Sequence, residues 1–446
     1  MTRQIVPILA LLGSMIFLML GGGLQAIVIP VRGEIEGFSA FELGWIGTGW
    51  AIGFTVGCII VPRLVRRAGH VRTFSTLVAL LSISVLLNGL VVEALFWIVL
   101  RALAGFCFAG CYMVAESWLN ERVSNDARGQ MFSIYAITTM VAMAAGQYML
   151  VIASPTTQTL FMIGAILYAL AVVPTALSTA QSPAPLTDVK LDLPGLFRNS
   201  PAAAVGAIMS GVISAAWTNF GPVFGQQVGF GSAAIASLLA VAMGGSIVFQ
   251  YPLGRLSDMI DRRYVMVLAG VIGVLFGSIM TVLTNAGSLD TLFFICVFAY
   301  GGVIYSVYSL AVAHANDYAD ADSFVKISSG LLILYGFGTM VGPLLTAQLM
   351  EIFGPSGVFT TTTLAHIIFA AYALYRTFRR ARASEVDRTD FRATGSARTQ
   401  TPESYALDPR STPDAYRLED DDELPPMPPP VDIPTSYAGQ EEEKRS

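Results

Sequence analysis

Four residues of one apolar stretch, Arg101, Phe108, Tyr112 and Glu116, recur at helical spacing and so share one broad face of a helix. A guanidinium near the centre of a membrane helix costs about 2.5–3.5 kcal/mol, so Arg101 should face a cavity, an acid or an anionic solute. Bracing the fold or snorkelling outward are the competing roles. Glu116, near the end of the same stretch, is a candidate proton carrier. His314 is a second, because an imidazole titrates near neutral pH without help. Either can instead be a fixed member of a polar gate, pairing with Arg128 or Lys326. A second constellation is the run GRLSDMIDRR, which gathers Gly254, Asp258, Asp261, Arg262 and Arg263 into one short loop. There a glycine lets two helix ends approach. An aspartate at a helix N-terminus is favoured by about 0.3–1 kcal/mol, and arginines can pair with acids across the loop. No nucleophile–base pair or phosphate-binding loop is visible, so an enzyme is not expected.

The elements that must position these groups follow from composition. The chain has 446 residues, 54% of them hydrophobic and 13% charged, and its mean hydropathy is +0.63. A soluble domain carries about a quarter charged residues. The apolar excess lies in runs of about 20 residues, the length needed to cross a hydrocarbon core. Twelve such runs lie between charged breaks, the first near 5–30 and the last near 356–376. Lipid obliges each to satisfy its own backbone hydrogen bonds, so all are expected to be helices. A soluble enzyme, a disulfide scaffold and a nucleic-acid-binding domain are excluded. Cys58, Cys107, Cys111 and Cys296 all lie inside apolar runs, and no metal or cofactor is expected.

Orientation follows from the positive-inside rule. With the N-terminus in the cytoplasm, seventeen loop Lys and Arg residues lie inside and only Arg32 outside. Both termini are then cytoplasmic and the protein is integral to a bacterial-type inner membrane. The expected organisation is an N-terminal six-helix half over 1–178, a linker over 179–200, a second six-helix half over 201–378 and a tail over 379–446. Residues 383–446 hold fifteen acidic against seven basic residues, with EDDDE and PPMPPP runs, and read as disordered. The tail is either simply solvated or docks a cytoplasmic partner. The interval from Glu116 to Arg128 equals that from His314 to Lys326, a weak internal repeat of the two halves.

The run at 254–263 resembles motif A of the major facilitator superfamily. Its first-half counterpart, PRLVRRAGHVR at 62–72, keeps Arg67 and Gly69 but has Arg66 in place of the aspartate. Arg101 with Gly105 resembles motif B. ESWLN at 116–120, GLQ at 23–25, EGFS at 36–39, AGQ at 145–147 and the AHANDYADADSFVK run closely resemble the YcaD-like branch. The likeness spans residues 5–378. It implies an all-α membrane protein, with twelve transmembrane helices in two six-helix halves (the major facilitator fold), acting as a secondary transporter.

It also implies that spans 1, 4, 7 and 10 line a central cavity. Gln25, Arg101, Phe108, Tyr112, Ser214, Trp217, Asn219, Tyr305 and Tyr308 would then meet the solute. Glu116 and His314 would serve proton coupling. Arg67, Gly69, Arg128, Gly254, Asp258, Asp261, Arg262, Arg263, Asp317 and Lys326 would form the cytoplasmic gate. Gly105, Gly338, Gly342 and Pro343 would serve helix packing. The expected activity is alternating-access transport of a small, amphipathic organic solute, coupled to protons, with efflux ahead of uptake. The partners expected are that solute, protons as coupling ion and membrane lipid, with no nucleic acid. An uncoupled facilitator or importer, and a non-transporting sensor signalling through the tail, stay open as alternatives.

Overall fold

The computed structural model describes residues 2–122, 128–177, 193–318, 324–379, 391 and 400–406. Among them the regular structure is helical. The first six helices are α1 (Thr2–Ile35), α2 (Ala40–Ala68), α3 (His70–Leu90), α4 (Ala94–Arg122), α5 (Arg128–Tyr148) and α6 (Thr159–Ala176). A short α7 (Leu193–Asn199) follows, then α8 (Pro201–Gln227), α9 (Ser232–Met259) and α10 (Arg262–Asn285). The tenth span is broken at Tyr305 into α11 (Thr291–Ile304) and α12 (Ser306–Asn316). The chain continues through α13 (Phe324–Phe353) and α14 (Gly357–Thr377) to α15 (Pro402–Ala406).

Eleven stretches of the described residues are long and apolar enough to cross a membrane. The last, Lys326–Thr377, is 52 residues long and contains both α13 and α14, so twelve spans result. Acidic residues start several helices. Ser39 and Glu42 form a reciprocal capping box at α2, Glu93 accepts from the amides of Leu95 and Phe96, and Asp290 caps α11. Each satisfies amides that a helix start leaves without partners.

The two halves repeat each other's packing. In the first, α2 packs on α4 and α1 on α5 and α6; in the second, α9 packs on α11 and α8 on α13 and α14. The same device closes four of these contacts. Gly53 and Gly105 lie against the carbonyls of Ala102 and Trp50, joining α2 to α4, and Gly245 and Gly301 do the same for α9 and α11 through Phe298 and Ala242. Gly23 with Gly146 joins α1 to α5, and Gly211 with Gly338 joins α8 to α13. Small residues let helix backbones meet where lipid supplies no hydrophobic drive.

Hydrogen bonds that join the halves directly cluster at one end, opposite the arginine-rich loops. Thr48 donates to the Met340 carbonyl at 2.7 Å, Gln227 to Glu34 at 3.0 Å, and Tyr148 meets Ser237 at 3.0 Å. Gly44 lies against the Pro343 carbonyl and Gly47 against the Asn219 side chain at the same end. At the arginine-rich end the segment 400–406 stands between the halves, with α15 packed on both α4 and α13.

Two places in the tail pack against the helices. Phe391 packs against the cluster, and Thr401, Ser404 and Tyr405 are buried. The remaining tail from 380, and the linker over 179–192, lie outside the described residues.

A methyl group at Gly105 would overlap the Trp50 carbonyl, whereas one at Gly244 meets only the Phe298 ring at ordinary distance. Gly105→Ala should therefore lower stability by about 1–3 kcal/mol, and Gly244→Ala should leave it nearly unchanged. Thermal unfolding of the purified variants in one detergent checks the difference.

Candidate functional site

Helix α4 carries the site's main line of side chains. Arg101, Phe108 and Tyr112 point into one cavity with Met19, Gly22, Gln25, Trp50 and Met143. The cavity volume is about 30 Å³, room for one or two waters and too little for an organic solute in this conformation. Gln25 is buried; its Oε1 accepts from Tyr168 at 2.8 Å, and its Nε2 has no partner among the described residues. The Phe108 ring lies 6.0 Å from both Tyr112 and Tyr168, and Trp50 stacks on Phe54 at 5.1 Å. Tyr112 donates to the Met19 sulfur at 3.3 Å. A guanidinium and an amide N–H between aromatic faces can bind a carbonyl, carboxylate or other electron-rich acceptor attached to a flat apolar body.

Fifteen residues farther on, about 22 Å along the helix axis, Glu116 is fully buried at the arginine-rich end. Both its oxygens accept hydroxyl protons from the tail: Oε2 from Thr401, and Oε1 from Ser404 at 2.6 Å. Across from α4, Tyr308 of α12 meets the Tyr405 hydroxyl at 2.5 Å, and Tyr405 donates to Gln400 Oε1 at 3.0 Å. Tyr335 of α13 packs edge-on against Tyr308 at 5.1 Å and donates to Ser214 at 2.9 Å. Phe324 closes the edge of Tyr405 at 6.3 Å. The segment thus touches an acid of the first half and aromatics of the second.

The arginine-rich loop between α9 and α10 forms a folded charge cluster. Arg262, only 2% exposed, pairs with Asp317 beyond α12 at 2.7 Å, with Asp258 at 3.0 Å and with Ser257 at 2.9 Å. Arg263 pairs with Asp261 at 2.6 Å and donates to the Arg376 carbonyl at 3.0 Å. Asp261 caps α10 by accepting from the Arg263 amide. Burial pushes its carboxyl up, but the Arg263 side chain, backbone amide and charge, with His314 behind them, outweigh this and hold it below the ordinary value. These ion pairs tie together elements of the second half. Gly254 does not bring two helix ends together: the space above it is filled by the ring of Phe391, whose amide donates to Asp258 at 2.9 Å.

The other expected residues separate into groups. His314 is buried beside the Tyr318 ring at 5.3 Å, next to the charge cluster. Arg67 is exposed and Gly69 makes the α2–α3 turn with φ of 83°, a conformation suited to glycine. Lys326 is exposed, and the Arg128 side chain lies outside the described residues. Trp217 faces the interior of the second half, against Tyr300 at 6.1 Å and Phe359 at 6.4 Å, not the centre. Asn219 donates to the Ala215 carbonyl and sits at the contact with Gly47. Tyr305 marks the break between α11 and α12. Gly342 lies against the Val212 backbone, and Pro343 is inside α13. His366 is buried, with Nδ1 on the Thr362 carbonyl at 2.7 Å.

Sequence reading missed Trp50, Met143, Tyr168 and Tyr335, which look like ordinary apolar-run residues until packing selects them. It also missed Thr401, Ser404 and Tyr405. The signal was present there: Thr401-Pro402 ahead of Glu403-Ser404 is a helix start, with proline at the first helical position.

Known proteins share this architecture. The model of the Major Facilitator Superfamily matches residues 11–331 and 206–407. An uncharacterized MFS-type transporter of Yersinia pestis (strain Pestoides F) is 25% identical over 350 residues, covering 77% of this chain and 89% of that protein. The uncharacterized MFS-type transporter YcaD of Escherichia fergusonii is 24% identical over 366 residues, covering 81% and 94%. Among solved structures, a point mutant of the nucleoside transporter NupG superposes with a TM-score of 0.71 at 12% identity, over 83% of this chain and all of that one. A bacterial homolog of the human lysosomal transporter Spinster, inward-facing and unoccupied, superposes with a TM-score of 0.65 at 17% identity, over 87% and 98%. At such identities the superpositions speak for the fold alone.

Two outcomes follow from the charge cluster. Arg262→Ala leaves Asp317 buried without its main partner and should cost about 3–5 kcal/mol, seen as a large fall in unfolding temperature. Because Asp261 is held below its ordinary pKa of 3.8, its contribution to stability is full above that value and is lost as pH falls below it. The difference in unfolding temperature between wild type and Asp261→Asn should be constant from about pH 5 to 8 and vanish in more acidic solution.

Proposed function

The chain belongs to the Major Facilitator Superfamily, with relatives of the YcaD type, and from that premise we propose that it carries a small amphipathic organic solute by proton-coupled alternating access. It is an integral membrane protein whose activity is transport. The observation that supports the finer reading is the pair of charges on α4. Arg101 and Glu116 are both buried within one spanning helix, one in the aromatic cavity and one at its arginine-rich end. Ionisable groups inside a membrane are costly and are kept where a solute or an ion must pass.

In this reading Arg101 and the Gln25 amide hold an acceptor group of the solute. Phe108, Tyr112 and Trp50 hold its apolar body. Glu116 exchanges a proton with the cytoplasm, and the halves rock about their contacts. The arginine-rich end is the cytoplasmic one, and both termini lie on that side. The joined end is then the periplasmic one, which makes this an inward-facing conformation. The cluster around Arg262, Asp317 and Asp261 braces the cytoplasmic ends of the second half so that it moves as one body, with His314 set against it. Efflux is favoured because the aromatic lining suits hydrophobic compounds that enter from the cytoplasm or the inner leaflet.

Reconstitution tests this. Proteoliposomes holding a pH-sensitive dye, placed under a proton gradient and given fractionated cell extract, should show solute-dependent proton movement. Glu116→Gln should reduce that movement by about tenfold or more, the rate equivalent of losing one charged partner. Solute uptake without proton movement, or proton movement unchanged in Glu116→Gln, would defeat the coupling assigned to that residue.

A further inference from the structure

The geometry points to the segment 400–406 as an intramolecular ligand of the solute's path. On that assignment the cytoplasmic seat around Glu116 and Tyr308 takes small aromatic molecules that carry hydroxyl or ammonium donors. This deepens the transport reading and rests on it for the solute; the seat itself rests on contacts.

Its construction is that of a binding site. Thr401 and Ser404 are three residues apart, so one helical turn directs both hydroxyls to one side. Each donates to a different oxygen of the Glu116 carboxylate. The Ser404 hydroxyl also accepts from the Thr401 amide at 3.0 Å, which fixes the turn. One residue on, the Tyr405 ring, 2% exposed, enters the aromatic group of Tyr308, Tyr335 and Phe324. Its hydroxyl takes a proton from Tyr308 and gives one to Gln400.

The seat therefore demands donors for a carboxylate and a ring with a polar tip for a tyrosine. Glu116 belongs to the first half; Tyr308, Tyr335 and Phe324 belong to the second. An occupant of the seat bridges the halves at the end opposite their direct contacts. While the segment is in place, the halves cannot close there. A donor-bearing aromatic molecule that displaces it satisfies the same carboxylate and the same ring pocket. It frees the tail, and with it the Phe391 anchor on Gly254 and Asp258 is the next contact to be released.

The test uses the full-length protein in lipid nanodiscs, followed by hydrogen–deuterium exchange of the peptide containing 400–406. Tyramine and tyrosol serve as probes, with ethylbenzene as a ring without donors. In wild type the Thr401 and Ser404 amides should exchange about tenfold more slowly than in Tyr405→Ala, with Tyr405→Phe between them. Tyramine or tyrosol should accelerate exchange in wild type, and ethylbenzene should not. Radiolabelled tyramine or tyrosol should bind Tyr405→Ala about tenfold more tightly than wild type, because the competing segment is gone.

Equal exchange in wild type and Tyr405→Ala overturns the seat. A released segment with no saturable binding of either probe overturns the ligand class. Binding of tyramine alone supports an ammonium donor, and binding of both supports a hydroxyl. Probe binding to the seat without flux in proteoliposomes removes the transport reading and leaves this inference standing. Flux of a solute with neither segment protection nor probe binding removes the inference and leaves transport standing.

Discussion

Backbone-to-backbone contact at glycine is the constraint on which this structure rests. In lipid, apolar side chains gain little by meeting each other, so helices are held by close packing and polar contacts. Gly53 and Gly105 bring α2 onto α4, Gly23 and Gly146 bring α1 onto α5, and matching pairs repeat both contacts in the second half. Each half is thereby closely packed within itself. Rocking of such units is what the fold requires if one site is to open alternately on two sides.

Against that rigid background the polar groups fall into two kinds. Arg262 pairs with Asp317 and Asp258, and Arg263 with Asp261, so these charges hold loop ends in place within the second half. Arg101, Gln25 and Glu116 have other surroundings. Arg101 and Gln25 meet an aromatic cavity, and Glu116 faces hydroxyls belonging to a segment that is not part of any spanning helix. A carboxylate fully removed from water needs such donors, and a tail segment supplies them in this conformation.

The asymmetry between the two ends gives the tail its meaning. At the joined end, Thr48, Gln227 and Tyr148 connect the halves directly. At the other end, α4 of the first half and α12 and α13 of the second reach a common occupant, the segment 400–406. On the inference drawn above, closure at that end and occupancy by the segment exclude each other, and tail and solute compete for one seat.

Much of this could be read from residue order. Hydropathy runs and the lipid's demand for satisfied backbone groups determined the twelve spans. The periodicity of α4 put Arg101, Phe108, Tyr112 and Glu116 on one face, and the run at 254–263 announced a charge cluster. Tertiary structure alone decided which side chains meet. Trp217 and Asn219 sit on a helix expected to line the centre, yet one turns into its own half and the other into the contact with Gly47. Gly254 serves Phe391 rather than a neighbouring helix. Periodicity specifies a face, but the tilt and rotation of each helix specify what that face meets. The seat of Thr401, Ser404 and Tyr405 was beyond local reading for a further reason. A polar, proline-rich sequence has too little apolar area to fold on its own, and the segment 400–406 packs where a distant carboxylate and an aromatic group have been assembled by the helices.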